Sequence, residues 1–358
     1  MPLVAHSGLP SFARLRHEGQ EVLDPQRARA QDIRELHIGF LNMMPDAALQ
    51  ATERQFLRLV GSCNRIAQFY VHPFTFAEIP RNAEARAHIG RYYRDFADLA
   101  RDGLDALIIS GANPARADIT REPFWKPLEG VVRWAGRHVC SVMCSCLATH
   151  AIAQLLWGFE RYPLPHKRWG VYSNRISSHS HPLTANINTR FDAPHSHVYE
   201  VNTGQFKKAG LMVLAAGEQA DLHLGVSPDG LRFVLFQGHP EYDAVSLLKE
   251  YRREVGRFID GVRADYPPFP ENYFSDRAQR LLVDFRRRAT AALAAGRRDL
   301  PAFPEAGVLP CIDNTWTDTG KAIANNWLGL IYQLAHPQRG RGFMDGVDPR
   351  DPLGLRNQ

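Results

Sequence analysis

The sequence has no long hydrophobic run, few cysteines and no strong excess of one charge. It contains no stretch of about 18 uninterrupted apolar residues, so we expect no transmembrane helix. The first twenty residues include Arg14, Arg16 and Glu18 but no apolar segment, so we expect no secretory signal. The five cysteines are an odd number, and the expectation is reduced thiols in the cytoplasm rather than a disulfide scaffold.

The charge is nearly balanced, with 43 Lys and Arg against 38 Asp and Glu and a net charge of +5. Nucleic-acid-binding proteins concentrate positive charge in a patch, whereas these arginines are spread beside acidic residues. We therefore expect neither a nucleic-acid partner nor a membrane partner. Hydrophobic residues make up 44% of the 358 residues, enough to bury a core without disulfides or metals.

Short apolar runs alternate along the chain with patterns typical of helices. Strands are expected at residues 36–43, 66–71, 104–110, 138–143, 211–215 and 231–236. Helices are expected from a capping-box spacing at 52–55, over 148–157, and along an apolar face between 244 and 258. A turn at 227–230 is expected to join 222–226 to 231–236 as a hairpin. The pattern predicts a mostly parallel α/β sheet flanked by helices, with one hairpin added.

Residues 1–335 are expected to form a single domain, because no internal repeat or linker interrupts them. The part from 267 to 310 is rich in Pro and Arg and is expected to be a helical excursion at the edge. Residues 336–358 are polar and rich in Gly and Pro. We expect this C-terminal segment to be poorly ordered.

Cys146 follows a predicted strand and immediately precedes a predicted helix. Unpaired N–H groups and the helix dipole favour a thiolate there, and the amide of Leu147 points toward an oxyanion formed on an acylated sulfur. The alternative is a small buried core residue, the commoner fate of a cytosolic cysteine. A metal site of Cys140, Cys144, Cys146 and His150 is a weaker alternative, because C-x3-C-x-C-x3-H is not a usual zinc spacing.

His239 follows the strand predicted at 231–236, and Glu241 lies two residues beyond it. A histidine at a strand end can act as a general base, and a carboxylate can hold its tautomer. The alternative is a simple turn in which Asp243 caps the next helix. Cys146 and His239 both follow strands of a predicted parallel sheet, where ligands bind beyond the carboxyl ends. A Cys–His–Glu triad is therefore the stronger interpretation.

Two further groups are less specific. Gly111 and Ala112 directly follow a predicted strand, where backbone amides either supply a second oxyanion donor or form a plain turn. Glu250 and Arg253 are three residues apart on one helix face, so they form either a surface ion pair or a guanidinium site for a substrate carboxylate. Ser196 is placed in a polar loop.

These residues together resemble a known family, the homoserine O-succinyltransferases, which are homoserine O-acyltransferases with a cysteine nucleophile. The resemblance runs from about residue 32 to about residue 333. It is carried, besides Cys146 and its helix, by FLNMMP at 40–45, TERQFLRL at 52–59, SGA at 110–112, KRWGVY at 167–172, APHS at 193–196, GHPEYD at 238–243, NYF at 272–274 and NWL at 326–328. The GHPEYD block is specific in this context.

The resemblance implies a flavodoxin-like core similar to class I glutamine amidotransferases, and ping-pong acyl transfer from an acyl-CoA to L-homoserine in methionine biosynthesis. It implies a cytoplasmic homodimer with no cofactor and no metal. By position it implies Cys146 as the acyl-thioester nucleophile, His239 as the general base and Glu241 as its orienting carboxylate; Lys167, Ser196 and Arg253 as substrate-binding residues; and the amides of Leu147 and of Gly111 or Ala112 as the oxyanion hole.

Acyl choice in the family follows one position, here Ala115, and Ser196 is expected to contribute. A glutamate there goes with acetyl-CoA, and a small residue goes with succinyl-CoA, because a carboxylate would fill the pocket and repel the succinyl carboxylate. We therefore expect succinyl-CoA as the co-substrate, with Arg116 pairing with its carboxylate. The chain departs from the family at 46–48, where Asp-Ala-Ala replaces a usual lysine, and at His197, where arginine is usual.

Three alternatives remain open from the sequence. One is a homoserine or serine O-acetyltransferase on the same scaffold. Another is a glutamine amidotransferase, although the turn Cys-Ser-Cys-Leu-Ala at 144–148 lacks the glycines that flank the amidotransferase cysteine. The third is a non-catalytic binding protein, and the presence of Cys146, His239 and Glu241 speaks against it.

Overall fold

One mixed β-sheet organises the chain. The computed structural model describes residues 3–63, 67–297 and 299–357. Its strands are β1 (Glu35–Leu41), β2 (Gln68–Phe74), β3 (Ala106–Ile109), β4 (Ser141–Ser145), β5 (Tyr162–Ile176), β6 (Arg190–Glu200), β7 (Met212–Gly217), β8 (Asp221–Val226) and β9 (Phe233–Phe236). Their order across the sheet is β2-β1-β3-β4-β9-β8-β7-β5-β6. The first five strands in this order pair in parallel, and the pairs from β9 to β6 are antiparallel.

Helices connect and cover these strands. In the described part of the chain they are α1 (Pro10–His17), α2 (Pro25–Arg29), α3 (Asp46–Gly61), α4 (Ala83–Tyr92), α5 (Phe96–Asp102), α6 (Trp125–His138), α7 (Leu147–Trp157), α8 (Thr203–Lys208), α9 (Ser246–Ile259), α10 (Asp276–Ala294), α11 (Glu305–Val308) and α12 (Thr317–Leu334). None of these helices combines the length and apolarity needed to cross a membrane.

Two hydrophobic layers cover the parallel half of the sheet. Phe40 and Ile108 pack in a cluster with residues of α3 and α12, whereas Leu41 and Ile109 pack with residues of α6 and α7. Because side chains of a strand alternate between its two faces, strands buried on both faces appear as continuous apolar runs in the sequence. The predicted α/β fold with a parallel core flanked by helices is therefore confirmed.

The structure differs from the sequence prediction in the antiparallel half of the sheet. Beyond the predicted β8–β9 hairpin, which is confirmed, the long strands β5 and β6 pair along most of their length. Neither was predicted, because charged and half-buried residues interrupt their apolar pattern. The strand predicted at 138–143 begins at Ser141 because α6 runs to His138. Ile66, the first residue of the strand predicted at 66–71, lies outside the described residues.

The capping-box spacing at 52–55 does not mark a helix start. Helix α3 begins six residues earlier, at Asp46, so Thr52 lies inside it. Glu53 is fully buried and accepts hydrogen bonds from Tyr93 and His88, both at 3.0 Å. The acidic residue of the apparent capping box therefore belongs to a buried hydrogen-bond network.

The C-terminal segment packs on the body of the protein, which differs from the poor order expected for it. The Met344 amide donates to the Leu334 carbonyl at 2.9 Å, and the Arg232 guanidinium lies 4.5 Å from the centre of the Phe343 ring. Pro352 is buried. A few apolar residues in a polar sequence are therefore enough to anchor the segment. Residues 267–310 contain α10 and α11, which confirms the helical part of that prediction.

Trp327 provides a test of the core. Its side chain is fully buried, and its Nε1 donates to Ser141 Oγ at 2.7 Å, which ties α12 to β4. Trp327→Ala should lower the free energy of unfolding by about 3–5 kcal/mol in urea denaturation, because it leaves a cavity and removes a buried hydrogen bond. Val283→Ala, at a 53% exposed position on α10, is the control and should change it by less than about 0.5 kcal/mol. Equal small effects would contradict this packing.

Candidate active site

Cys146 occupies a strained turn between β4 and α7. Its φ is 53° and its ψ is −114°, a conformation that L residues rarely adopt. The Cys146 amide donates to the Phe236 carbonyl at 2.8 Å, and the Cys146 carbonyl accepts from the Thr149 amide at 3.0 Å. The residue is 9% exposed and borders a cavity of about 1020 Å³. These two bonds hold the turn that places the nucleophile candidate at the cavity.

Glu241 connects His239 to the strand that precedes Cys146. Glu241 Oε1 lies 2.8 Å from His239 Nδ1, and Ser145 Oγ donates to both carboxylate oxygens, at 3.1 and 3.0 Å. All three residues are buried. Ser145 is paired with Phe236 in the sheet, so the ends of β4 and β9 lie side by side. The structure thus brings together Cys146, His239 and Glu241, the three residues that the sequence indicates as a triad.

The charges of Cys146 and Glu241 control the ionisation of His239. Burial lowers the pKa of His239, but these two neighbours outweigh burial and hold the pKa well above its usual value. The Tyr242 ring stacks on the imidazole, with 4.0 Å between ring centres and 19° between planes. Glu241 holds Nδ1, and a hydrogen bond with the Cys146 side chain also raises the pKa of the ring. The ring is therefore held through Nδ1 and its face, which leaves Nε2 available for proton transfer.

Glu250 organises a second polar group at the cavity. It accepts hydrogen bonds from Lys167 Nζ at 3.1 Å, from Ser196 Oγ at 2.7 Å and from the Tyr242 hydroxyl at 2.6 Å. Burial raises the pKa of Glu250, but the Lys167 charge and these bonds outweigh burial and lower it. Glu250 therefore does not form the surface ion pair with Arg253 that the sequence offered as one alternative. Ser196 lies within β6 and not in a loop.

Arg253 borders the same cavity from α9. Its side chain is 45% exposed, and Nε lies 3.7 Å from the Glu254 carboxylate. Such a long, exposed contact contributes little energy. The guanidinium is therefore available to an anionic ligand in the cavity.

Backbone amides lie close to the Cys146 side chain. Gly111 and Ala112 both border the cavity, and a Cβ added to Gly111 would lie 3.5 Å from the Cys146 Cβ. The Leu147 amide is the first of α7, a position without an intrahelical acceptor. This arrangement fits an oxyanion hole.

Ala115 and Arg116 lie farther out, since both are exposed and neither borders the cavity. The Arg116 guanidinium donates to the Arg121 carbonyl at 2.8 Å. The structure therefore does not place Arg116 where it would pair with an acyl group on Cys146. At the position of the family lysine, Ala47 and Ala48 border the cavity, and Asp46 pairs with Arg81 at 3.2 Å.

The cysteines near Cys146 do not form a metal centre. Cys140 and Cys144 are fully buried in different hydrophobic clusters, and His150 Nε2 lies 3.0 Å from Gln237 Oε1. Among the described residues, no group of three or more His, Cys, Asp and Glu side chains is arranged to hold a metal ion.

Sequence reasoning missed Ser145, Tyr242 and Arg161 as residues of this site. A hydroxyl at the last position of an apolar strand was the available signal for Ser145. Tyr242 lies within the GHPEYD block, but its stacking depends on a local turn. No sequence pattern indicates Arg161. It directly precedes β5 and borders the cavity.

Comparisons with known proteins identify the family. A family model described as homoserine O-succinyltransferase matches residues 2–337. A homoserine O-succinyltransferase of Methylobacter tundripaludum is 60% identical over 355 residues, covering 99% of this chain and 100% of the relative. The chain belongs to the homoserine O-succinyltransferase family. It is thus an acyltransferase, and the relative of the same name from Allochromatium vinosum is 58% identical, covering 99% of each chain.

Solved structures of glutamine amidotransferases are also similar to the chain. The one from Methylobacillus flagellatus matches with a TM-score of 0.47 and 14% identity, over 83% of this chain and 95% of that chain. The one from Thermotoga maritima matches with a TM-score of 0.45 and 12% identity, over 83% of this chain and 97% of that chain.

The pKa of His239 gives a test of this site. Glu241→Gln removes a charge that raises this pKa, so the imidazolium should lose its proton at a lower pH than in the unchanged protein. Ring ¹⁵N shifts of labelled histidine, followed from neutral to alkaline pH, measure this change. Ser145→Ala is the control, because it removes two bonds to Glu241 but keeps the charge. An unchanged His239 titration in Glu241→Gln would contradict the arrangement.

Proposed function

We propose that the chain transfers a succinyl group from succinyl-CoA to the hydroxyl of L-homoserine through an acyl-thioester on Cys146. The products are O-succinyl-L-homoserine, an intermediate for methionine biosynthesis, and CoA. The observation that carries the proposal is the meeting of Cys146 with His239 and Glu241 at one wall of a large cavity. Relatives between 52% and 60% identical are named homoserine O-succinyltransferases, which supports this substrate pair. No cofactor is needed for this chemistry, and a homodimer stays a prediction.

The first half-reaction acylates Cys146. The thiolate attacks the thioester carbonyl, and the amides of Leu147 and Gly111 stabilise the oxyanion. The carbonyl carbon stays bonded to the Cys146 sulfur, and its bond to the CoA sulfur breaks. His239 Nε2 gives its proton to the departing CoA thiolate. The raised pKa of His239 supports this step, because the imidazolium is the form that donates.

The second half-reaction releases the acyl group to the acceptor. The homoserine hydroxyl gives its proton to the now neutral His239 Nε2 while its oxygen attacks the acyl carbonyl. The carbon–sulfur bond to Cys146 breaks, which forms the ester and restores the thiolate beside a protonated His239. Lys167 and Ser196, both fixed by Glu250, line this part of the cavity. Arg253 supplies a guanidinium for the homoserine carboxylate.

The nucleophile is tested by intact-protein mass spectrometry. Mixing the protein with succinyl-CoA should add one succinyl mass, and L-homoserine should then remove it. Cys146→Ala should show no adduct, because its side chain cannot form a thioester. Cys144→Ala is the matched control and should keep the adduct, since Cys144 is buried in the core. An acetyl adduct in place of the succinyl adduct would overturn the donor, and an adduct on Cys146→Ala would overturn the nucleophile.

The role of Arg253 is tested on the two half-reactions separately. Arg253→Gln should raise the KM for L-homoserine about 10- to 100-fold, because the substrate carboxylate loses a charged hydrogen-bonding partner. Its rate of adduct formation from succinyl-CoA should not change. Arg257→Gln, one turn further along α9 and 53% exposed, is the comparison. Slower acylation with an unchanged homoserine KM would contradict this role.

A further inference from the structure

Arg161 carries a positive charge on the wall of the cavity that also contains Cys146. Its guanidinium carbon lies 3.9 Å from the centre of the Tyr199 ring. Its Nη2 donates to the carbonyl oxygens of Ala117 and Arg116. Its Nε is buried and has no hydrogen-bond partner in the described part of the chain. The side chain is therefore held in place by a ring face and by two carbonyls while one donor is left unused.

The acidic residues near Arg161 are engaged elsewhere. Asp118 accepts from the Thr120 amide and hydroxyl, at 3.0 and 2.7 Å, and Glu122 accepts from the Arg116 amide at 2.6 Å. Both raise the pKa of Arg161 at longer range, against the larger lowering caused by burial. Carbonyl and ring contacts carry only partial charge, so a half-buried guanidinium gains from a carboxylate that reaches it.

Two other cations of the cavity, Lys167 and Arg58, have close carboxylate partners. Lys167 binds Glu250 at 3.1 Å, and Arg58 binds Glu18 at 2.6 Å and Asp243 at 3.2 Å. No ion pair joins Arg161 to any acidic side chain among the described residues. Arg161 thus combines a fixed guanidinium with the capacity to accept an anion.

Arg161 borders the same cavity as the first turn of α7. Leu147 and His150 border the cavity there, and His150 follows Cys146 by four residues, a rise of about 6 Å along a helix. Burial lowers the pKa of His150 to about 4, and the charge of Arg161 acts in the same direction, so the two side chains lie within electrostatic range. A succinyl group on sulfur spans a similar length, roughly 6 Å from its C–C bonds.

We infer that Arg161 binds the terminal carboxylate of the succinyl group and so selects a dicarboxylic acyl donor over a neutral donor of the same length. This inference rests on the proposed function, since it names the part of the donor that this wall recognises. A guanidinium forms a charge-assisted hydrogen bond with a carboxylate, and stacking on Tyr199 limits its rotation. Arg161 takes the role that the sequence offered for Arg116.

The test compares succinyl-CoA with butyryl-CoA. The butyryl group has the same four-carbon chain, with a methyl group in place of the terminal carboxylate. Adduct formation on Cys146 is timed by mass spectrometry in the unchanged protein and in Arg161→Gln. The variant should lose about 10- to 100-fold in the acylation rate constant at low succinyl-CoA concentration and little with butyryl-CoA. Arg161→Lys keeps the positive charge without the planar guanidinium. Its acylation rate constant with succinyl-CoA should lie between those of the unchanged protein and Arg161→Gln. Arg133→Gln, at a 68% exposed position on α6, is the control for a surface arginine.

The outcomes separate this inference from the proposed function. If the unchanged protein forms no adduct with succinyl-CoA, the proposed function fails. If it does form one, equal losses for both donors in Arg161→Gln, or no loss, overturn the carboxylate site. A selective loss with succinyl-CoA in Arg116→Gln instead would assign the role to that residue. Circular dichroism of each variant confirms that the fold is retained.

Discussion

The parallel pairing of β4 with β9 is the constraint on which the site depends. Ser145 is paired with Phe236, and the Cys146 amide donates to the Phe236 carbonyl at 2.8 Å. Neighbouring strands lie about 4.8 Å apart, so the turn with Cys146 and the turn with His239 begin side by side. A slip of one residue would turn each strand residue to the opposite face, and Ser145 would then no longer meet Glu241.

The antiparallel half of the sheet supplies two of the three hydrogen-bond donors to a buried carboxylate, Glu250. Glu250 in α9 receives bonds from β5 through Lys167 and from β6 through Ser196. A buried carboxylate without partners is costly, and a pair that loses one partner is strongly destabilised. Lys167 and Ser196 are therefore held at the cavity before any substrate arrives, which lowers the entropy lost on binding.

The sequence predicts the parallel core and the positions of Cys146, His239 and Glu241, because strand ends and helix starts have strong local patterns. It does not predict β5 and β6, whose exposed and charged residues hide their alternation. The sequence also does not show which residue pairs with a buried carboxylate. Glu250 and Arg253 lie at helix spacing, yet Glu250 binds Lys167, which is 83 residues away in the chain. Such pairings depend on the packed sheet.

In the proposed ping-pong reaction, two separate guanidinium groups would bind the carboxylates of the two substrates. Arg161 directly precedes β5, and Arg253 lies on α9, the helix that follows His239. Both border one cavity, while Glu250 neutralises Lys167 between β5, β6 and α9. In a ping-pong reaction the acyl group stays on sulfur while the acceptor enters. As proposed, separate guanidiniums would bind the acyl carboxylate and the acceptor carboxylate together without sharing a partner, which a single cation at the centre would not allow.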